Sequence, residues 1–299
     1  MDQNKIYGII FGHAIGDSLG LPLEGCNKET IQMQVKGWQF GEWTDDTEQM
    51  LCILDSILER GKIEIKDIAK RLYQWAKKGG KGIGRTVAQV ICHPSFLDNP
   101  YISSKEIWEK SGGYLAPNGG VMRTSILGIW KYWDKEEVIR NAEAVCRITH
   151  WDPRCVGSCV AVSYAISAFL RGINDLEIIY KEVEKLVDNY DKRIHPYLEL
   201  AKGSISGLKL DEPKSMGYTL KTLAAGFWAL LNAKDFEGGL ITVINEGGDT
   251  DTNGAVAGAL LGARFGYNSI PKKYISGLLN KDMLEEKIGL LILKLQSFT

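Results

Sequence analysis

Apolar residues recur every three to four positions along nearly the whole chain. Ile6, Ile9, Ile10, Ala14 and Leu19 begin the pattern, and Met50, Leu51, Ile53, Leu54, Ile57 and Leu58 repeat it on one helical face. The same period predicts helices over 65–76, 121–133, 136–148, 155–170, 176–187, 219–231, 236–244, 252–265 and 283–295. Glycine or proline interrupts it at 77–84, 93–100, 111–120, Trp151-Asp152-Pro153 and Glu212-Pro213. Strand-like alternation between paired turn residues is nearly absent. The pattern therefore predicts an all-α chain of about a dozen helices, one domain over residues 1–299 with no linker.

Composition narrows the function classes. The 299 residues carry 36 Lys plus Arg against 37 Asp plus Glu, so no basic excess points to nucleic acid. No apolar run is expected to approach the roughly 20 residues that cross a bilayer. Met1-Asp2-Gln3-Asn4-Lys5 lacks a basic segment leading into an apolar one, so a cytoplasmic protein with no membrane association is expected. The six cysteines form no Cys-x-x-Cys pair, and Cys155 and Cys159 have no histidine pair beside them; buried, reduced thiols are expected. Glycine is abundant at 33 residues, and Gly254, Gly258 and Gly262 fall four apart, a smooth ridge onto which a second helix can press.

Two polar clusters open predicted helices. Trp43-Thr44-Asp45-Asp46-Thr47-Glu48 precedes the run from Met50; Thr44 or Asp45 suits an N-cap, and Asp45 with Glu48 resembles a capping box. Asn245-Glu246-Gly247-Gly248-Asp249-Thr250-Asp251-Thr252-Asn253 offers far more polar groups than one cap needs. Both clusters combine adjacent or alternating carboxylates with hydroxyls, a hard-oxygen donor set suited to Mg²⁺ or Mn²⁺. The second begins like a Ca²⁺-binding loop, but Leu260 stands where the closing glutamate belongs. Meeting across a bundle, the two clusters could hold a pair of cations.

Two further segments gain meaning from that company. Gly16-Asp17 through Glu24-Gly25 ends the first helix, with Gly20 and Pro22 as its stop and Glu24 beyond. Pro117-Asn118-Gly119-Gly120-Val121-Met122-Arg123 is a glycine-bearing loop feeding the run from Val121, where backbone N–H groups could cradle phosphate. Gly79-Gly80-Lys81-Gly82-Ile83-Gly84 has no preceding strand, which excludes a dinucleotide-binding βαβ unit.

Taken in order, Gly16-Asp17…Glu24-Gly25, Trp43-Thr44-Asp45-Asp46-Thr47, Asn118-Gly119-Gly120-Val121-Met122-Arg123, Thr149-His150-Trp151-Asp152-Pro153 and Gly247 to Asn253 resemble the ADP-ribosylglycohydrolase family. The matches run from about residue 8 to about residue 266. The resemblance implies a compact orthogonal multi-helix bundle, acting as a monomer, with two Mg²⁺ or Mn²⁺ ions at the base of an ADP-ribose cleft. It implies metal ligation by Thr44, Asp45, Asp46, Asp249, Asp251 and Thr252, with Glu24, Asp45, Asp46 and Asp251 in catalysis. Asn118, Gly119, Gly120, Met122 and His150 would bind the nucleotide, with Arg123 behind them. Family members often carry Asp-Ile-Gly-Asn-Thr where this chain has Gly82-Ile83-Gly84-Arg85-Thr86; the missing aspartate removes one acid–base candidate, and Lys81 and Arg85 add charge.

The activity so implied is metal-dependent hydrolysis of the glycosidic bond between ADP-ribose and an acceptor. The acceptor would be a protein side chain, arginine first by analogy, or a small-molecule conjugate. A catalytically inactive ADP-ribose-binding protein and a metal-dependent nucleotide pyrophosphohydrolase are the rival expectations.

Overall fold

Short acidic, amide and hydroxyl side chains set about half of the helix starts. Asp2, Thr44, Asn99, Asp134, Asp152, Asp175 and Asp235 each accept a hydrogen bond from an N–H in the first turn that follows. In this computed structural model, residues 1–34 and 41–298 are described. Among them are fifteen α-helices and no β-strand. The first six are α1 (Gln3–Gly20), α2 (Lys28–Gln34), α3 (Asp45–Arg60), α4 (Ile65–Lys77), α5 (Arg85–Ile91) and α6 (Pro100–Lys110). Then follow α7 (Lys135–Cys146), α8 (Pro153–Leu170), α9 (Leu176–Val187), α10 (Ile194–Leu200) and α11 (Thr219–Asn232). The chain closes with α12 (Phe236–Ile244), α13 (Thr250–Phe265), α14 (Lys272–Gly277) and α15 (Lys281–Gln296).

Helices α1, α8 and α13 are apolar around most of their circumference and are buried accordingly. The central contact is α1 against α13, with α8, α11 and α12 also against α13 and α3 and α15 against α1. The expected glycine ridge finds its partner here. A Cβ on Gly254, Gly258 or Gly262 would fall 2.4, 2.0 and 1.9 Å from the carbonyl oxygens of Gly16, Gly12 and Gly8. The two backbones therefore touch directly, which fixes the register between Asp17 near the end of α1 and Asp251 at the start of α13.

Four expectations need correction. Two stretches, Gln3–Leu23 and Pro153–Leu170, are long and apolar enough to cross a membrane by length and composition, but 83% and 94% of their windows are buried by the fold. The predicted helix over 121–133 is two 3₁₀ turns, Val121–Arg123 and Ser125–Gly128, followed by further turns. This segment threads the core between other elements: Ser163 Oγ donates to the Thr124 carbonyl at 3.0 Å, and a Cβ on Gly128 would fall 2.6 Å from the Ser163 carbonyl oxygen. The loop at 118–120 therefore feeds no α-helix, and a helix N-terminus cannot be what binds phosphate there. All six cysteines are free as expected, but only Cys146, Cys155 and Cys159 are buried, and Cys92 is exposed.

Candidate active site

The start of α3 is built around a residue from another helix. Thr44 is the N-cap, its Oγ1 accepting from Asp46 N–H at 3.3 Å. The capping box does not close: Glu48 accepts the Trp43 indole N–H at 3.0 Å instead. Asp17 of α1 takes over that role. Its carboxylate accepts from Thr44 N–H (2.9 and 3.1 Å), Thr44 Oγ1 (2.8 Å), Thr47 N–H (3.0 Å) and Thr47 Oγ1 (2.6 Å). Burial nevertheless pushes Asp17 up to about 6, the threonine bonds only partly offsetting it. Sequence reasoning gave Asp17 no role; its place in the Gly16-Asp17 segment was the available signal.

In the second cluster the N-cap carboxylate makes no cap, while Asp251 Oδ1 accepts from Thr252 N–H at 2.8 Å. Asp249 stands at the N-cap of α13 with no side-chain cap bond, and its Oδ2 accepts from Asn118 Nδ2 at 2.9 Å. The preceding Gly247 and Gly248 take φ of +77° and +78°, and a Cβ on Gly248 would fall 2.1 Å from the Leu210 carbonyl oxygen, so this turn requires glycine. Gly248 pairs with the loop after α1, donating to the Cys26 carbonyl and accepting from Gly25 N–H, both at 2.8 Å. That pairing brings Glu24 to Asp249.

Together these elements gather the acids. Asp17, Asp46 and Asp251 each offer an oxygen within 4.8 Å of the others, as do Glu24, Asp249 and Asp251, so Asp251 belongs to both groups. Thr252 Oγ1 lies 3.4 Å from Asp46 Oδ2. Burial, then repulsion from neighbouring carboxylates, pushes Asp45 up to about 8 and Asp46 and Asp251 well above the carboxylate range. Burial and the Asp249 charge also raise Glu24. Asp46 Oδ1 is buried with no hydrogen-bond partner. Buried carboxylates that repel one another with an orphaned oxygen among them fit divalent cations. Asp17 differs: its oxygens are occupied by four groups of donors, so it positions α3 and is a poor ligand.

These acids floor a cleft of about 210 Å³ that Asn118, Gly119, Met122, His150 and Thr252 also line. Its size is below the roughly 300–1,000 Å³ of sites enclosing a whole ligand. The Asn118 side chain is committed to Asp249 and to Thr222 Oγ1 at 3.0 Å. His150 Nδ1 pairs with Thr149 Oγ1 at 2.8 Å and its buried Nε2 has no partner; burial, then the Arg123 charge, lowers it to about 3. Gly120 and Arg123 lie behind the cleft. A Cβ on Gly120 would fall 3.1 Å from Cys146 Sγ, and the buried Arg123 donates to Gln49 Oε1 (2.7 Å) and Thr149 Oγ1 (2.6 Å). Gln49 Nε2 in turn donates to Asp45 Oδ2 at 2.9 Å, so Arg123 braces the acid cluster and the His150 turn at once.

The fold and the cleft define the class: an all-α protein with a cleft floored by buried acids. Residues 1–297 match the ADP-ribosylglycohydrolase family, and the chain belongs to it. It is 25% identical to ADP-ribosylarginine hydrolase Tri1 of Serratia proteamaculans, over 94% of this chain and 77% of that one. It is 27% identical to the ADP-ribosyl-dinitrogen reductase glycohydrolase of Rhodospirillum rubrum, over 92% of this chain and 90% of that one. A solved structure of an ADP-ribosylglycohydrolase-related protein complex superposes with TM-score 0.77 at 27% identity, covering 97% of each chain. The family and the names of these relatives support ADP-ribosyl glycohydrolase activity.

Proposed function

We propose that the protein is a metal-dependent hydrolase that cleaves the glycosidic bond joining ADP-ribose to a protein side chain or small-molecule acceptor, releasing ADP-ribose. The observation that carries this is the gathering of Glu24, Asp249 and Asp251 at the cleft mouth, with Asp46 and its unpartnered Oδ1 beside Asp251 deeper in. Thr44, Asp45, Asp46, Asp249, Asp251 and Thr252 would hold two divalent cations, Mg²⁺ or Mn²⁺. When bound, such cations neutralise the acids, orient ribose hydroxyls and acidify water.

The chain's own groups do the rest. Glu24 is exposed beside Asp249 and Asp251 at the mouth, where a base is needed, and its raised pKa suits proton transfer. It takes a proton from the attacking water. The bond from the anomeric carbon to the acceptor breaks, the water oxygen takes its place, and the acceptor leaves with a proton. His150, neutral at any physiological pH, can direct Nε2 at the nucleotide without adding charge. Asn118 keeps Asp249 in place, and Gly119 leaves room for His150: a Cβ there would fall 3.0 Å from its Cε1.

Chelation tests the reading. EDTA should stop release of ADP-ribose from a panel of ADP-ribosylated substrates, and Mg²⁺ or Mn²⁺ should restore it; D45A and D251A should be inactive with metal present. Unchanged turnover under EDTA, AMP as the product, or tight ADP-ribose binding with no turnover would each overturn it.

A further inference from the structure

One wall of the cleft differs in charge from its floor. Gly82, between α4 and α5, takes φ +86°, and a Cβ there would fall 2.6 Å from Asp45 Oδ1. A side chain there would be strained and would press on the Asp45 carboxylate, and as it stands the position carries no charge. Three residues on, Arg85 lines the same cleft; it is exposed, and no ion pair or hydrogen bond engages it among the described residues. Lys81 of this loop is committed elsewhere, its Nζ meeting Glu42 Oε2 at 2.7 Å. Gly84 and Thr86, which flank Arg85 in the cleft wall, carry no charge to balance it.

A cation that the fold leaves unpaired, on a wall that begins at Asp45, has the substrate as its natural counter-charge. We propose that Arg85 sets acceptor specificity, disfavouring a guanidinium-linked conjugate and favouring one whose acceptor is anionic beside the scissile bond, such as a phosphoryl group. This rests on the glycohydrolase reading and reverses the arginine-first order expected by analogy. On that wall a guanidinium acceptor meets the Arg85 charge, and the cleft's carboxylates lie on its floor, where the proposed cations engage Asp45, Asp46, Asp249 and Asp251. An anionic acceptor gains a charge-assisted hydrogen bond there.

The test compares three conjugates of ADP-ribose, through arginine, through a serine peptide and as the 1″-phosphate, on the metal-loaded wild type and on Arg85→Gln and Arg85→Glu. The readout is the change in kcat/KM ratio between proteins, which cancels the intrinsic reactivity of each linkage. Arg85→Glu should shift the phosphate-to-arginine ratio toward arginine tenfold or more, equal to about 1.4 kcal/mol, with Arg85→Gln and the serine conjugate intermediate. Affinity for free ADP-ribose should stay within twofold. Lys81→Gln, which removes the same charge from the same loop, should move the ratio less than threefold. An unmoved ratio in Arg85→Glu, or an equal shift in Lys81→Gln, would overturn the inference. So would weakened binding of all three conjugates and of free ADP-ribose alike, which would put Arg85 on the pyrophosphate. If the wild type turns over no conjugate at all, the glycohydrolase reading itself fails and this inference goes with it.

Discussion

Gly16 of α1 and Gly254 of α13 meet so closely that a Cβ on Gly16 would fall 1.9 Å from the Gly254 carbonyl oxygen. Each is one to three residues from a cluster aspartate, Asp17 or Asp251, so the spacing of these two backbones sets the spacing of the acids. Gly16→Ala should cost more than the roughly 1–3 kcal/mol usual for overpacking, because backbone on both sides has nowhere to go. Thermal unfolding would read the loss, and the stabilisation by added Mn²⁺ should disappear with it. Gly289 gives the contrast: it sits within α15 with nothing within 4 Å of a would-be Cβ. Gly289→Ala should raise stability by about 0.5–1 kcal/mol.

Asp17 tests positioning against ligation. Asp17→Asn keeps the shape but turns an amide toward N–H and O–H donors that need an acceptor. The expected result is a loss of about 3 kcal/mol in stability and weaker cation binding through displacement of Asp45 and Asp46. A variant with native stability and only cation binding lost, by calorimetry, would make Asp17 a ligand.

Asn118 couples the loop at 118–120 to the acids through its bond to Asp249. Asn118→Ala should weaken cation affinity by roughly 10–100-fold, the effect of removing an outer partner of a ligand. Fluorescence titration with Mn²⁺ would measure it. Cation affinity equal to the wild type's would leave Asp249 outside the centre.

The response to pH separates two sets of buried groups. Burial holds Asp17 at about 6 and Asp45 at about 8, above their ordinary values. The metal-free fold therefore keeps their protons and loses stability as pH rises from about 4 to about 8. His13 and His150 have the opposite sign, burial lowering them to about 4 and about 3. Their contribution is present above the ordinary histidine value and is lost below it, on the order of 3 kcal/mol each by strong acid. Above the ordinary histidine value of about 6.5 only the raised carboxylates still titrate, so the Tm of metal-free protein should fall between about pH 6.5 and 8, and divalent cations should raise Tm more at pH 8 than at pH 6, because fewer protons compete. A flat metal-free Tm from pH 5.5 to 8 would contradict the buried-carboxylate arrangement.

The acid clusters and the glycine ridge were legible because local residue types at fixed spacing define them. The segment 121–133 was not. It is apolar on every side because the core surrounds it, and apolarity without a polar face cannot distinguish a helix from a chain of 3₁₀ turns. Helices α2, α5, α10 and α14, of 7, 7, 7 and 6 residues, are shorter than the window in which a period can be read. Asp17 escaped notice because its partners, Thr44 and Thr47, lie 27 and 30 positions away. The fit of Gly82 against Asp45 is likewise a fact of three dimensions.

The pairing of the first helix with the thirteenth bears on how the protein is made. A ribosome extends the chain from Asp17 through Asp46 long before Thr250 and Asp251 emerge. Until α13 lies down on α1, the early acids have neither their last companion nor the glycine contact that spaces them. Any cation these acids hold would therefore be taken up only once α13 is in place, and a fragment halted ahead of α13 would have no assembled centre with which to hold an ion.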